Sequence, residues 1–530
     1  MPQPDAHLWW QRGVIYQIYP RSFQDSTGDG IGDLPGIERR LDYLVWLGVD
    51  AIWISPIFPS PMADFGYDVS DYCGVHPIFG TMEDFDRLLH ACHDRGLRVL
   101  LDLVPNHSSD RHPWFEESRS SRDNPRRAWY IWRDPAEDGG PPNNWLSHFG
   151  GPAWTFDEAT GQYYYHAFLK EQPDLNWRNP AVRRAIFDAM RFWFQKGVDG
   201  FRIDVLWHVI KDERFRDNPK NPAYDSTDVP YTQLIPVYSC DQPEALEVVA
   251  QMRHVADEYD ERVLIGEIYL PIDRLVVYYG REDEGVHMPF NFQLLTLPWD
   301  AREIDRAINE YEGALPDDGW PNWVLGNHDK VRVAGRVGPA QARVAAVMLL
   351  TLRGTPTIYY GDELALEDVS IPPDRVQDPQ GLRLGHEFTR DSQRTPMPWD
   401  GSPNAGFTTG TPWLPLNPDA DVRNVAAQQQ DPHSVLSLYR RLLALRRERP
   451  ALRVGTFRPI EAGGAVIAYV REWNGERMAV ALNLGGSTQE LRLEEYEGAV
   501  VLGTHADRVG ARVGGRLQLG PDEAMIIQLD

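Results

Sequence analysis

Cysteine is nearly missing from this chain: Cys73, Cys92 and Cys240 are the three among 530 residues. Their odd number and wide spacing exclude a disulfide framework and a thiolate zinc centre, so each reads as a small buried hydrophobe. Long apolar runs are missing too. The greasiest segment, VAAVMLLTL at 344 to 352, is about half the ~20 residues that a bilayer demands. The N-terminal MPQPDAHLWWQRG lacks the basic start and apolar stretch of a secretory leader. The expectation is a soluble cytoplasmic protein with no membrane contact. Positive charge is scarce: 53 Lys and Arg against 78 Asp and Glu leave a formal charge of −25. Such a field repels nucleic acid and favours a neutral partner. Internal repeats, low-complexity tracts and flexible linkers are also lacking, and the length allows two or three domains with ample core.

What is present is a rhythm. Short β-branched runs recur, each followed by a longer stretch with helical spacing: VIYQIY (14 to 19), AIWISP (51 to 56), RVLLDLV (98 to 104), DGFRIDV (199 to 205), RVLIGEIY (262 to 269), MPFNFQL (288 to 294), NWVLGNHD (322 to 329) and TPTIYYGDEL (355 to 364). Strands alternating with helices predict a parallel sheet, and eight such units predict an α/β fold closed as a (β/α)8 TIM barrel. In SVLSLYRRLLALRRERP, Val435, Leu438, Tyr439, Leu442 and Leu445 form one apolar stripe that Pro450 ends.

The third and fourth runs start about 100 residues apart, where other neighbours are roughly 25 to 65 apart, so something is inserted. Residues 105–173 are rich in Trp, Pro and Gly with little periodicity, which predicts an irregular subdomain on the barrel face where active sites sit. A polar, Pro-rich loop at about 211 to 240 is expected to roof the same place. After Pro450 the pattern turns to alternation around Asn474-Gly475, a hairpin signal, predicting a C-terminal antiparallel β-sandwich. The expected divisions are a barrel of 1–104 and 174–453, the insertion at 105–173, and the sandwich at 454–530.

In GVDGFRIDV the period of two puts Arg202 and Asp204 on one strand face. The guanidinium should hold that carboxylate ionised and fit for nucleophilic attack. Glu267 comes late in the fifth run amid apolar residues, an environment that would keep it protonated as a general acid. His328 and Asp329 end the seventh run and His107 follows the third. Different strands thus deliver these groups to one barrel rim, a set suited to cleaving a glycosidic bond through an oxocarbenium-like transition state. The 18 Trp, 22 Tyr and 19 Phe would suit stacking on sugars, although ordinary core packing accounts for most of them. Earlier in the chain, DSTGDGIGD (25 to 33) reads like the start of an EF-hand loop, but Gly36 stands at the twelfth position where a Glu is needed. A sensor is excluded; a fixed metal site is not.

DLVPNH, GFRIDV, GEIY and NHD, in this order, resemble the four signature segments of the α-amylase superfamily, glycoside hydrolase family 13. QPDLN at 172 to 176 is similar to the fifth segment of its oligo-1,6-glucosidase branch, the α-glucosidases, and VIYQIYPRSFQDSTGDGIGDL and RTPMPWD resemble further stretches of those enzymes. The resemblance implies Asp204 as nucleophile, Glu267 as acid and then base, and Asp329 as the carboxylate that steadies the transition state. It implies His107, Arg202 and His328 around the glucose, Phe149 and Phe168 as lining aromatics, and Asp64, Tyr67 and Arg394 closing the non-reducing end into a blind pocket. It also implies a structural calcium or magnesium ion on Asp25, Thr27, Asp29, Ile31 and Asp33, with Thr27 in place of the usual Asn, and no organic cofactor. Val205, after the nucleophile, matches branch members that accept α-1,6 bonds. The implied activity is a retaining α-glucosidase acting on short oligosaccharides, as a monomer or small homo-oligomer. The alternatives are a glucosyl-transferring or isomerising enzyme of the trehalose synthase, sucrose isomerase or amylosucrase type, and a non-catalytic relative such as a transporter heavy chain, which the three retained carboxylates and the missing membrane span disfavour.

Overall fold

The computed structural model describes residues 7–281 and 284–530; the first six residues of the N-terminal stretch lie outside them. The first three strands are β1 (Ile15–Ile18), β2 (Ala51–Ile54) and β3 (Arg98–Leu103). Three short strands of the inserted segment follow: β4 (Trp132–Arg133), β5 (Trp154–Asp157) and β6 (Gln162–Tyr165). Then come β7 (Gly200–Ile203), β8 (Val263–Gly266), β9 (Met288–Asn291), β10 (Asn322–Val324) and β11 (Thr355–Tyr359). β1, β2, β3 and β7 to β11 pair in parallel, and β1 meets both β2 and β11, so the sheet closes on itself. Each of the eight expected strand runs contains one barrel strand.

The pleat sorts the side chains. Ile15, Ala51, Leu100, Val263, Met288 and Val324 fill the barrel interior in one apolar cluster. Their strand neighbours Tyr16, Ile52, Val99, Leu101, Phe201 and Leu264 belong to the larger cluster under the surrounding helices. Burial on both faces is why these strands read as continuous apolar runs. The helices are stopped by local chemistry: Thr81 and Asp84 form a capping box ahead of Met82–Asp94, while Asn179 caps Pro180–Lys196 and Gly197 ends it at φ 106°.

Between β3 and β7 the chain makes a small antiparallel sheet in the order β4-β6-β5, with a core of its own that includes Ile131, Trp145, Trp154 and Tyr165. Isolated bridges from His107 to Asp174 and from Tyr130 to Leu175 tie the segment back to the barrel rim. At the C-terminus β12 (Thr456–Ile460), β13 (Val466–Trp473), β14 (Glu476–Asn483), β15 (Gln489–Gly503), β16 (Arg512–Leu519) and β17 (Ala524–Leu529) form one sheet in the order β12-β13-β14-β17-β15-β16. Asn474 and Gly475, both at positive φ, make the expected tight turn. Ile467, Tyr469, Met478 and Val480 pack towards the barrel. On the opposite face Val466, Ala468 and Ala479 meet Leu491, Leu493, Leu517 and Leu519. Those strands are not neighbours in the sheet, so it folds over itself, helped by register shifts in β15. The two expected layers are one bent sheet.

Gly200, which opens β7, has no room for a side chain: a Cβ would lie 2.3 Å from the Val263 carbonyl oxygen and 2.5 Å from its Cγ1. Gly200→Ala is therefore expected to cost about 1–3 kcal/mol of stability through overpacking, read as a lower midpoint in thermal unfolding. An unchanged midpoint would mean that β7 and β8 can separate without penalty.

Candidate active site

The ladder extends past the strand ends far enough to fix the backbone of Asp204 and Glu267. The Asp204 amide donates to the Leu103 carbonyl at 2.8 Å and the Glu267 amide to that of Ile203 at 2.9 Å. Arg202, two residues before Asp204 and on the same face, is 1% exposed and sits among three carboxylates. Its Nη1 meets Asp102 Oδ1 and Asp204 Oδ1, and its Nη2 meets Glu267 Oε2, each at 2.7 Å. The apolar surroundings expected for Glu267 are not what it has: the guanidinium touches it, and the Val205 amide donates to Oε2 at 2.9 Å. Nor does Arg202 serve Asp204 alone. Burial raises Asp204 well above the ordinary carboxylate range, Arg202 opposes this, and the charges of Glu267, Asp102 and Asp329 add to it. Asp102 is pushed up to about 7, by burial first, against the pull of Arg202. Burial and the neighbouring carboxylates therefore push Asp102 and Asp204 the same way, with Arg202 opposing both.

The histidines are neutral parts of this network. Burial pushes His328 down to about 3 and His107 down to about 4. The Gln17 amide, which can only donate at Nε2, lies 2.8 Å from His328 Nδ1, so the ring proton sits on Nε2 and faces the Tyr67 hydroxyl at 2.7 Å. Tyr67 in turn donates to Asp102 Oδ2 at 3.1 Å. His107 holds the other wall, with Nε2 at 3.1 Å from the Tyr67 carbonyl and Nδ1 at 3.1 Å from the Asn106 amide. Asp329 is the most acidic member: burial would raise it, but His328 and the guanidiniums of Arg390, Arg394 and Arg202 hold it far below the ordinary range.

These groups face a cavity of about 400 Å3, within the ~300–1,000 Å3 usual for small-molecule sites. Of the residues singled out from the sequence, Asp204, Glu267, Asp329, Asp64, Tyr67, His107, Phe149 and Phe168 line it. Arg202 and His328 stand behind them as supports. Arg394 does not reach the cavity; its Nε donates to the His328 carbonyl at 2.8 Å and its Nη2 pairs with Asp329 at 2.8 Å. The end wall expected of it belongs to Arg390, which meets Asp64 Oδ1 at 2.7 Å, Asp329 Oδ1 at 3.1 Å and Asp378 Oδ1 at 2.7 Å. The two arginines flank the 3-10 turn Asp391–Gln393, and that turn sends one outward and the other inward.

Several lining groups escaped the sequence reading. Gln172, from QPDLN, reaches both Asp64 Oδ2 (3.3 Å) and His107 Nε2 (3.2 Å). Tyr269 is stacked on Phe292, with ring centres 4.3 Å apart, and Tyr231 on His148 at 3.6 Å. Tyr231, Val229 and Thr232 belong to the 211–240 loop, which does roof the cavity. Val205 carries strain: a β-branched residue at φ 36° and ψ 46° pays roughly 1–3 kcal/mol, and in that conformation its amide points at Glu267.

The acidic loop near the N-terminus is closed by its own donors. Asp25 accepts from the amides of Thr27, Gly28 and Gly30 and from the Thr408 hydroxyl, which together outweigh burial and lower its pKa. Asp33 accepts from Ser26 and Gly36, and Asp29 from Ile31. The donor set of hard oxygens suits calcium or magnesium. Among the described residues, however, no three acidic, His or Cys side chains converge on one point.

Because the charge of Asp102 adds to what raises Asp204, removing it should loosen a proton held in the site. In Asp102→Asn the alkaline limb of the kcat/KM profile should move to lower pH, because less repulsion then retains the catalytic proton. A limb that stays in place would show the carboxyls titrating independently.

Comparison with known proteins agrees with this arrangement. Residues 17–455 match the model of the α-amylase catalytic domain. A probable α-glucosidase of Rhizobium meliloti is 44% identical, over 94% of this chain and 94% of its own. An oligo-1,6-glucosidase of Heyndrickxia coagulans is 38% identical, over 98% of this chain and 99% of its own. The crystal structure of an α-glucosyl transfer enzyme superposes with a TM-score of 0.94 at 44% identity, covering 99% of this chain and 100% of the other. A shared barrel, a shared catalytic-domain model and end-to-end identity to such enzymes mean that the chain belongs to the α-amylase family of glycoside hydrolases, in the branch of the α-glucosidases and oligo-1,6-glucosidases.

Proposed function

We propose that the protein is a retaining α-glucosidase that frees glucose from the non-reducing end of short α-1,4- or α-1,6-linked glucosides by double displacement. The observation that carries this reading is the convergence of Asp204, Glu267 and Asp329 on one cavity with Asp64 and Arg390 across its inner end. Glu267, as general acid, gives a proton to the glycosidic oxygen while an Asp204 oxygen attacks C1. The C1–O bond breaks, the aglycone leaves as an alcohol, and a β-glucosyl ester to Asp204 remains. Glu267, now a carboxylate, takes a proton from water, whose oxygen attacks C1 and releases Asp204; two inversions leave the α-anomer. Asp329, kept ionised by its two arginines, binds sugar hydroxyls and favours the positive charge that develops on the ring.

A second reading replaces water by a sugar hydroxyl, giving glucosyl transfer or isomerisation. The likeness to a glucosyl transfer enzyme and the roof of Tyr231 over the mouth favour it. We also place the protein in the cytoplasm, on its three free cysteines, and give the 25–33 loop a structural divalent cation, on its three carboxylates, Thr27 hydroxyl and Ile31 carbonyl. Among the described residues no helix is long and apolar enough to cross a membrane.

Asp204→Asn should lose several powers of ten in glucose release from an aryl α-glucoside with its melting curve largely unchanged; near-normal turnover would refute the nucleophile. In the same assay with maltose or isomaltose as substrate, NMR should show α-glucose as the first product, whereas disaccharide products would favour transfer. For the cation, a calcium-dependent rise in the thermal midpoint that a chelator reverses is the expected result, and identical midpoints would dismiss the ion.

A further inference from the structure

A second cavity, about 540 Å3, opens where the inserted subdomain meets the loop after β7. Its charge is opposite to that of the molecule. Arg122, Arg127, Arg133, Arg178 and Lys211 line it against one acidic residue, Glu213, in a chain whose formal charge is −25. Two of these cations lack an acidic counterpart within ion-pair distance among the described residues. Arg133 donates to the Trp132 carbonyl at 2.8 Å and lies 3.8 Å over the Phe215 ring. Arg127 is held by the Ser118 carbonyl, Thr160 Oγ1 and Gln162 Oε1, all uncharged, and its buried Nε has no hydrogen-bond partner. Arg122 and Arg178 have carboxylates only at the exposed rim, Asp134 and Glu244.

Unpaired guanidiniums are forks for a phosphate or carboxylate. Tyr130, Trp132 and Phe215 add ring faces to the same wall, and Gln162 and Asn176 add amides, which suits a sugar ring beside the anion. We infer that this cavity is a second ligand site, for a small phosphorylated sugar or a molecule of like chemistry. It backs directly on the active site. Arg178 Nη1 donates to the Lys211 carbonyl at 2.7 Å, and Lys211 Nζ is buried between Asp174 and Asn106 Oδ1, whose own amide reaches His107 Nδ1. A ligand drawing on Arg178 therefore has a short packed route to a wall of the catalytic cavity.

The test compares inorganic phosphate, glucose 6-phosphate and glucose as probes of the full chain by thermal shift and calorimetry. Both phosphate compounds should raise the thermal midpoint saturably and glucose should not do so through this site. Arg133→Gln should weaken the apparent affinity for glucose 6-phosphate about tenfold or more while hydrolysis of an aryl α-glucoside keeps its kcat/KM. Arg122→Gln, which lines the same cavity, serves as the second variant, each variant being read against its own unliganded midpoint. Stabilisation that persists in both variants, or that glucose produces equally, would place binding elsewhere and overturn the inference.

Discussion

Arg202 is buried near the end of β7, and three carboxylates from three strands close on it. Everything chemical in the site follows from that imbalance. A single guanidinium holds Asp102 and Asp204 through Nη1 and Glu267 through Nη2, so one positive charge is set against three carboxyl groups. Burial raises Asp102 and Asp204 while that guanidinium pulls against it. Around this core burial pushes His107 and His328 towards their neutral forms, and His328 faces the Tyr67 hydroxyl.

The barrel supplies only a rim; two excursions from it make the pocket. The insertion after β3 contributes Phe149, Phe168 and Gln172, and the loop after β7 contributes Tyr231 and its neighbours. The same two segments meet again on their other side and form the basic cavity there. Lys211 lines the basic cavity, and its buried partners Asp174 and Asn106 lead on, through the Asn106 amide, to His107 in the wall of the other. A thin packed partition thus separates an acidic hollow from a basic one.

The strands were legible because each is buried on both faces and so spells a compact apolar word between polar helices. Reading parity along GFRID placed Arg202 and Asp204 together, and the carboxylates at the ends of three runs pointed to one rim. Asp102 escaped notice although it stands in RVLLDLV, because nothing local distinguishes a carboxylate that will meet an arginine from one that will face water. Arg390 differs from Arg394 for a related reason: a 3-10 turn separates them, and its geometry decides which one lines the cavity.

By itself the sequence determined the alternation of elements, the closure of eight strands, the insertion, and the delivery of Asp204, Glu267 and Asp329 to one rim, since periodicity and residue type are local properties. The tertiary structure alone decided who neutralises whom. Charge partners such as Asp102 and Arg202, or Asp64 and Arg390, are brought together by strand order and loop packing across 100 and 326 positions of chain. Coulomb forces depend on distance in space, and distance along the chain does not measure it.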